Sequence, residues 1–205
     1  MVPRTRHIKI AHLYPEAMDL YGDSGNVRTL VKRCQWRGLE AEVVEVYLGE
    51  AADLGDVDLI FIGGGQDSAQ GRVARDIVRH TSMIRDLVDG GAAALAICGG
   101  FQLFGSEYLV ASGATLPGIG VFDAWTLADR NRVIGEITTE VSLQLWNTEP
   151  APPPIVVVGF ENHAGRTFLG SKESPFGRVV HGGGNLGDGS VEGAVYRNAI
   201  GTYLH

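Results

Sequence analysis

"AALAICGGFQLFG", residues 93–105, carries an all-apolar pentapeptide into a cysteine, a glycine pair and a second apolar stretch. A run this short, without polar alternation and ended by glycines, reads as a strand buried on both faces. The apolar segment behind the glycines reads as the start of a helix. A strand, a sharp turn and a helix place Cys98 on the turn, with the small residues Ala96 and Gly100 two positions to either side. That is the requirement of a nucleophile elbow, whose strained turn brings neighbouring backbone close.

Upstream, the same grammar repeats. "IKIAHLY" (8–14), "EAEVVEVYL" (40–48), "VDLIFIGGG" (57–65) and "AAALAI" (92–97) read as strands. Between and after them, 25–39 reads as an amphipathic helix ending at Gly38, and 74–91 and 101–110 as further helices. Apolar strands alternating with helices predict a three-layer α/β fold, with a mostly parallel central sheet and helices on both faces. In the second half, 118–129, 135–146, 154–162, 177–184 and 192–205 read as short strands joined by turns, extra antiparallel strands on that core. "NTEPAPPPI" (147–155) reads as a surface loop, so residues 1–205 are expected to form a single domain.

Composition narrows the function. The 205 residues are 44% apolar with a formal net charge of −7 and no basic tract, which speaks against nucleic acid or an anionic membrane as partner. Two cysteines exclude a disulfide scaffold and favour a reducing, cytoplasmic setting. No stretch is apolar enough for a signal peptide or a membrane span. No Cys/His cluster has zinc spacing, so no metal is expected.

Ligands of open parallel sheets bind at the carboxyl ends of the strands. "IGGG" (62–65) and "CGG" (98–100) both stand at such ends, so Cys98 and the glycines share one edge. A lone cysteine is more often a small buried hydrophobe, which is the reading kept for Cys34. For Cys98 the elbow favours a nucleophile, its thiolate helped by the helix N-terminus, with backbone N–H groups of Gly99, Gly64 and Gly65 facing a developing oxyanion. "YGDSGN" (21–26) lacks the Lys and spacing of a phosphate loop, and its Asp23 and Ser24 suit helix capping equally well.

"AICGGFQLFG" resembles the nucleophile motif of class I glutamine amidotransferases, and "FIGGGQD" (61–67) their glycine-rich oxyanion strand end. "LYGDSGN" (20–26), "NRVIGEI" (131–137), "VGFENHAGRT" (158–167) and "GTYLH" (201–205) are similar to the cobyric acid synthase-like branch. Within that branch they resemble the amidotransferase subunits of lipid II isoglutaminyl synthases. The resemblance implies Cys98 as nucleophile, His205 as base, and Gln102 and Arg132 as residues that hold L-glutamine; His163, by its loop setting, is a rival base, with a turn-stabilising hydrogen bond as its alternative use. Many class I amidotransferases place an orienting Glu two residues after this histidine, a position off the end of this chain. The subunits resembled lack it, which implies a Cys–His dyad, with a partner chain as the expected source of any acid. The family continues past this histidine, so a C-terminal segment is expected to be missing from the chain.

The function implied is hydrolysis of glutamine through a Cys thioester, with ammonia passed to a Mur-ligase-like synthetase subunit. That partner would use ATP and Mg²⁺ to convert the D-glutamate of lipid II to D-isoglutamine, and lipid II would be reached only through it. No cofactor is expected on this chain itself. Two rivals stay open: an amidotransferase for a cobyric acid-type substrate, and a non-catalytic binding or redox module.

Overall fold

The structure, a computed structural model, describes residues 7–142 and 153–205, so the end of the expected strand 135–146 and most of the loop 147–155 lie outside the described residues. Its first sheet contains β1 (His7–Leu13), β2 (Glu40–Val46), β3 (Leu59–Ile62), β4 (Ala93–Ile97), β11 (Ala194–Tyr196) and β12 (Ala199–Thr202), in the order β11-β12-β4-β3-β1-β2. All neighbours pair in parallel except β11, which is antiparallel to β12. The central strands β3 and β4 are the apolar runs of the sequence, and Ile60, Phe61 and Ile62 are wholly buried. Helices α1 (Ser24–Trp36), α2 (Asp67–Ile77), α3 (Thr81–Asp89) and α4 (Gly99–Phe104) fall between the strands, giving the expected α/β class.

α1 stops where the sequence said it would. Gly38 adopts φ +68°, its N–H donates to Gln35 O, and the next N–H, of Leu39, reaches back to Cys34 O. This left-handed closure satisfies the last carbonyls of the helix at no Cβ cost.

Three boundaries differ from expectation. The helix expected over 101–110 is only α4; Gly105 turns extended and Ser106 N–H donates to Ala124 O. Glu107–Leu109 then forms β5, exposed–buried–exposed in period two, with Tyr108 inward. The helix expected over 74–91 begins earlier and is two helices, α2 and α3, offset by a 3₁₀ turn at Val78–His80 in which His80 is buried. The strands expected at 118–129 and 135–146 are parts of one strand, β7 (Ala124–Val141), with an irregularity between Ala128 and Val133.

β7 organises a second, mainly antiparallel sheet with β8 (Ile155–Leu169), β9 (Gly177–His181), β10 (Val191–Glu192), β5 and β6 (Thr115–Pro117). β7 pairs with β8 over almost its full length, and only β5 runs parallel to it. The segment expected as a strand over 192–205 divides between the sheets. Its last part, β12, enters the parallel sheet beside β4, with Thr202 opposite Ile97. That insertion brings the last residue of the chain to the end of β4 that carries Cys98.

Candidate active site

Four chain segments leave the carboxyl edge of β12, β4, β3 and β1 side by side, carrying His205, Cys98, Gly63–Gly65 and, further along, Asp23. Cys98 sits at φ +52°, ψ −106°, a conformation rare for a residue with a Cβ, so the elbow is strained. Its N–H donates to Thr202 O at 2.8 Å, fastening the turn to β12.

The setting of the thiol favours its protonated form. Burial pushes its pKa up to about 12, the negative charge of Asp23 adds to this, and the Gly99 N–H and Arg132 oppose it without prevailing. Burial thus outweighs the expected help from the N-terminus of α4, a helix of only six residues.

The His205 side chain is buried, its Nδ1 3.1 Å from Asp23 Oδ1. A carboxylate only accepts, so Nδ1 carries the proton and Nε2, which has no partner among the described residues, is the basic nitrogen. The ring stacks on Phe160 at 5.0 Å and meets Tyr21 edge-on at 5.1 Å. Reciprocal backbone bonds between His205 and Phe160 hold the segment against β8. A Cβ on Gly64 would lie 3.4 Å from Cys98 Cβ, from His205 Cε1 and from Asp23 Oδ2 alike. The cysteine and histidine singled out in the sequence and a carboxylate therefore surround one point that a glycine leaves empty.

The acid expected from a partner chain is thus matched by a carboxylate within this one. Asp23 occupies the N-cap position of α1 but makes no cap bond. Its Oδ2 instead accepts the Gly64 N–H at 2.7 Å. This also changes the expected oxyanion donors: the Gly64 N–H is committed to Asp23. Gly99, whose N–H acts on the thiol, and Gly65, whose nitrogen lies 3.1 Å from the site of a Cβ on Gly99, remain around Cys98. Nor is the 20–26 loop a phosphate cradle. Ser24 N–H donates to Asp19, Gly25 N–H to Gly22 O and Asn26 N–H to Asp23 O.

A cavity of about 460 Å³ opens over this edge, lined by Cys98, Gly99, Gly65 and Gln102 from the parallel-sheet side and Arg132, Asn162 and His163 from the second sheet. Arg132 is exposed, and its guanidinium donates to Asn162 Oδ1 (2.7 and 3.1 Å) and to the Asn162 carbonyl (3.1 Å). Gln102 is buried and doubly held, accepting from Gln70 Nε2 at 2.7 Å and donating to the Tyr203 hydroxyl at 3.0 Å.

His163, the rival base, is engaged elsewhere. Its Nδ1 donates to Gly165 O at 2.9 Å, its Nε2 faces Glu161 at 3.5 Å, and its ring stacks on Tyr203. Burial alone would raise the Glu161 carboxyl, but His163 and the N–H groups of Gly183 and Gly184 hold it below the usual range. His181 is exposed on β9, and Cys34 is half-buried on α1. Among the described residues, no group of three or more His, Cys, Asp or Glu is placed to hold a metal, and no helix is long and apolar enough to cross a membrane.

The sequence reading missed Asp23, Gln70 and Tyr203. Asp23 had one usable signal, its place in the loop after β1, on the edge already marked by the glycines. The two others had no chemical signal of their own, since a Gln inside a polar helix and a Tyr just past a buried strand are ordinary.

Residues 9–205 match the CobB/CobQ-like glutamine amidotransferase domain family. The lipid II isoglutaminyl synthase (glutamine-hydrolyzing) subunit GatD of Streptococcus pneumoniae is 39% identical over 199 residues, which cover 97% of this chain and 73% of that protein. The corresponding subunit of Staphylococcus aureus is 33% identical, with 97% of this chain and 76% of the relative covered. A cobyric acid synthase of Pelotomaculum thermopropionicum is 30% identical, but the match covers 82% of this chain and only 33% of the synthase. Among solved structures, PurLQS from Thermotoga maritima superposes with a TM-score of 0.65 at 17% identity, over 97% of this chain and 87% of that one.

Proposed function

The chain belongs to the CobB/CobQ-like glutamine amidotransferase family, and from that premise we propose that it is the glutamine-hydrolysing subunit of a lipid II isoglutaminyl synthase. What supports this reading over a cobyric acid-type substrate is coverage: the two GatD relatives are matched over about three quarters of their length, the synthase over a third. The observation that carries the chemistry is the gathering of Cys98, His205 and Asp23 around Gly64.

In the proposed reaction, glutamine lies in the cavity with its α-carboxylate on Arg132 and with Gln102 beside it. Because the Cys98 thiol holds its proton, attack begins with transfer of that proton to His205 Nε2. The sulfur bonds to the side-chain amide carbon, and the Gly99 and Gly65 N–H groups receive the oxyanion. The His205 imidazolium, held by Asp23 through Nδ1–H, returns the proton to the leaving nitrogen. Ammonia departs and a thioester remains. Water, deprotonated by His205, attacks the thioester; glutamate leaves and the thiol is restored.

The ammonia is delivered to a Mur-ligase-like partner. That subunit binds ATP and Mg²⁺, activates the D-glutamate α-carboxylate of lipid II and yields D-isoglutamine. This chain acts as one domain on the cytoplasmic side and meets lipid II only through the partner.

The test is ammonia release from L-glutamine by the full-length chain, alone and with its ligase, beside Cys98→Ser. Release that the substitution abolishes supports the reading. Equal release from Cys98→Ser, or none in any combination, overturns it.

A further inference from the structure

We propose that Gln70 is a positioning residue that fixes which end of the Gln102 amide faces bound glutamine. The inference rests on the glutaminase reading above, in which Gln102 borders the substrate.

Gln70 lies on α2 and is 2% exposed, so a misplaced amide there would leave buried polar atoms poorly paired. Its Nε2 is 2.7 Å from Gln102 Oε1 and 3.3 Å from the Gly99 carbonyl oxygen. A primary amide has two N–H donors, and here both face acceptors. The Gly99 carbonyl can only accept, so the nitrogen of Gln70 must point to it. Turning the Gln70 amide over would set oxygen against oxygen at that contact and again at Gln102. The orientation of Gln70 is therefore dictated by the main chain next to the nucleophile.

That orientation passes on. Gln102 must turn Oε1 to Gln70, which sends its Nε2 to the Tyr203 hydroxyl at 3.0 Å. The Tyr203 hydroxyl also meets Thr167 Oγ1 at 2.6 Å, and Thr167 meets Thr126 at 2.8 Å, contacts in which either oxygen can donate. The donor direction is thus set from Gln70 through Gln102 to Tyr203, and every member of this chain is buried. Without Gln70 nothing at its head distinguishes the two ends of the Gln102 amide, and half the Gln102 orientations would present the wrong group to substrate.

The experiment measures alkylation of Cys98 by a chloroketone analogue of glutamine, resolving KI from the maximal rate, in wild type, Gln70→Glu, Gln70→Leu, Gln102→Leu and the Gln70→Leu/Gln102→Leu double variant. Gln70→Glu keeps the shape but replaces donors with acceptors, so KI should rise about tenfold or more while the maximal rate stays within about twofold. Relative to wild type at the same pH, acidification should restore Gln70→Glu by protonating the new carboxyl, and should not restore Gln70→Leu. The double variant should be no weaker than Gln102→Leu, because Gln70 acts through Gln102. An unchanged KI in a folded Gln70→Glu overturns the inference. So does a fall in maximal rate that tracks lost thermal stability without acid recovery, which would make Gln70 a packing residue. Failure of the analogue to label wild-type Cys98 overturns the glutaminase reading itself.

Discussion

The Asp23 carboxylate acts on its two neighbours in different ways. Its charge adds to burial in keeping the Cys98 thiol protonated, while its Oδ1 takes the Nδ1–H of His205 and leaves Nε2 to accept the thiol proton. Asp23→Asn should therefore separate two kinds of reactivity. Ammonia release should fall by about a hundredfold or more, since an amide can hold the wrong imidazole tautomer and no longer balances the imidazolium. Alkylation of Cys98 by iodoacetamide, which needs only thiolate, should begin at lower pH than in wild type, because a charge that opposed ionisation has gone. Both are read from one preparation, and a parallel loss of both would remove Asp23 from this role. Cys98 itself was legible because an elbow needs small residues at fixed offsets. Asp23 was not, because an Asp-Ser pair ahead of a helix is explained equally well by capping, and only the tertiary contact to Gly64 decides between the uses.

At the scale of elements, the site depends on where β12 ends. Glu192, in β10, is fully buried and accepts the Thr202 hydroxyl and the Tyr203 N–H, both at 2.6 Å, in the turn that leads to His205. Burial raises its pKa to about 7 against an ordinary 4.5, more than those hydrogen bonds lower it. A carboxyl with a raised folded-state pKa favours the folded state most fully below its unfolded value. Its contribution is then lost as pH climbs from 4.5 through about 7. Unfolding free energies measured by denaturant at several pH values should show that decline in wild type, and Glu192→Gln should flatten it; parallel curves would refute the assignment. The central strands β3 and β4 of the parallel sheet were legible as apolar runs, whereas β5 was hidden behind α4. Three residues, Glu107–Leu109, carry too short an alternation to outweigh the apolar pattern before them, and the bond from Ser106 to Ala124 that starts the strand is non-local. The same non-locality merged two expected strands into β7, whose continuity comes from β8 pairing along it.

Across the whole molecule, the cavity has walls from both sheets, and neither wall suffices alone. Cys98, Gly99 and Gln102 follow β4, while Arg132 and Asn162 belong to β7 and β8. The alternation of strands and helices made the first wall readable, because the carboxyl edge of a parallel sheet gathers its loops by rule. The second wall follows from the pairing of two long strands, which no local pattern encodes, so Arg132 entered through family resemblance alone. A ligand held by both walls should stabilise the fold as a unit. In Cys98→Ser, which should bind without turnover, glutamine at a hundred times its Kd should add about 2.7 kcal/mol to unfolding, seen as a Tm that climbs with the logarithm of concentration above Kd. Arg132→Ala in the same background removes one wall's hold on the α-carboxylate, and the curve should shift to higher glutamine by about tenfold or more. Glutamate, which keeps the α-carboxylate but places a charge at the buried thiol end beside Asp23, should stabilise less than glutamine. Equal stabilisation by both ligands, or a Tm curve whose position on the glutamine axis is indifferent to Arg132, would mean that glutamine does not lie across the two sheets with its amide at Cys98.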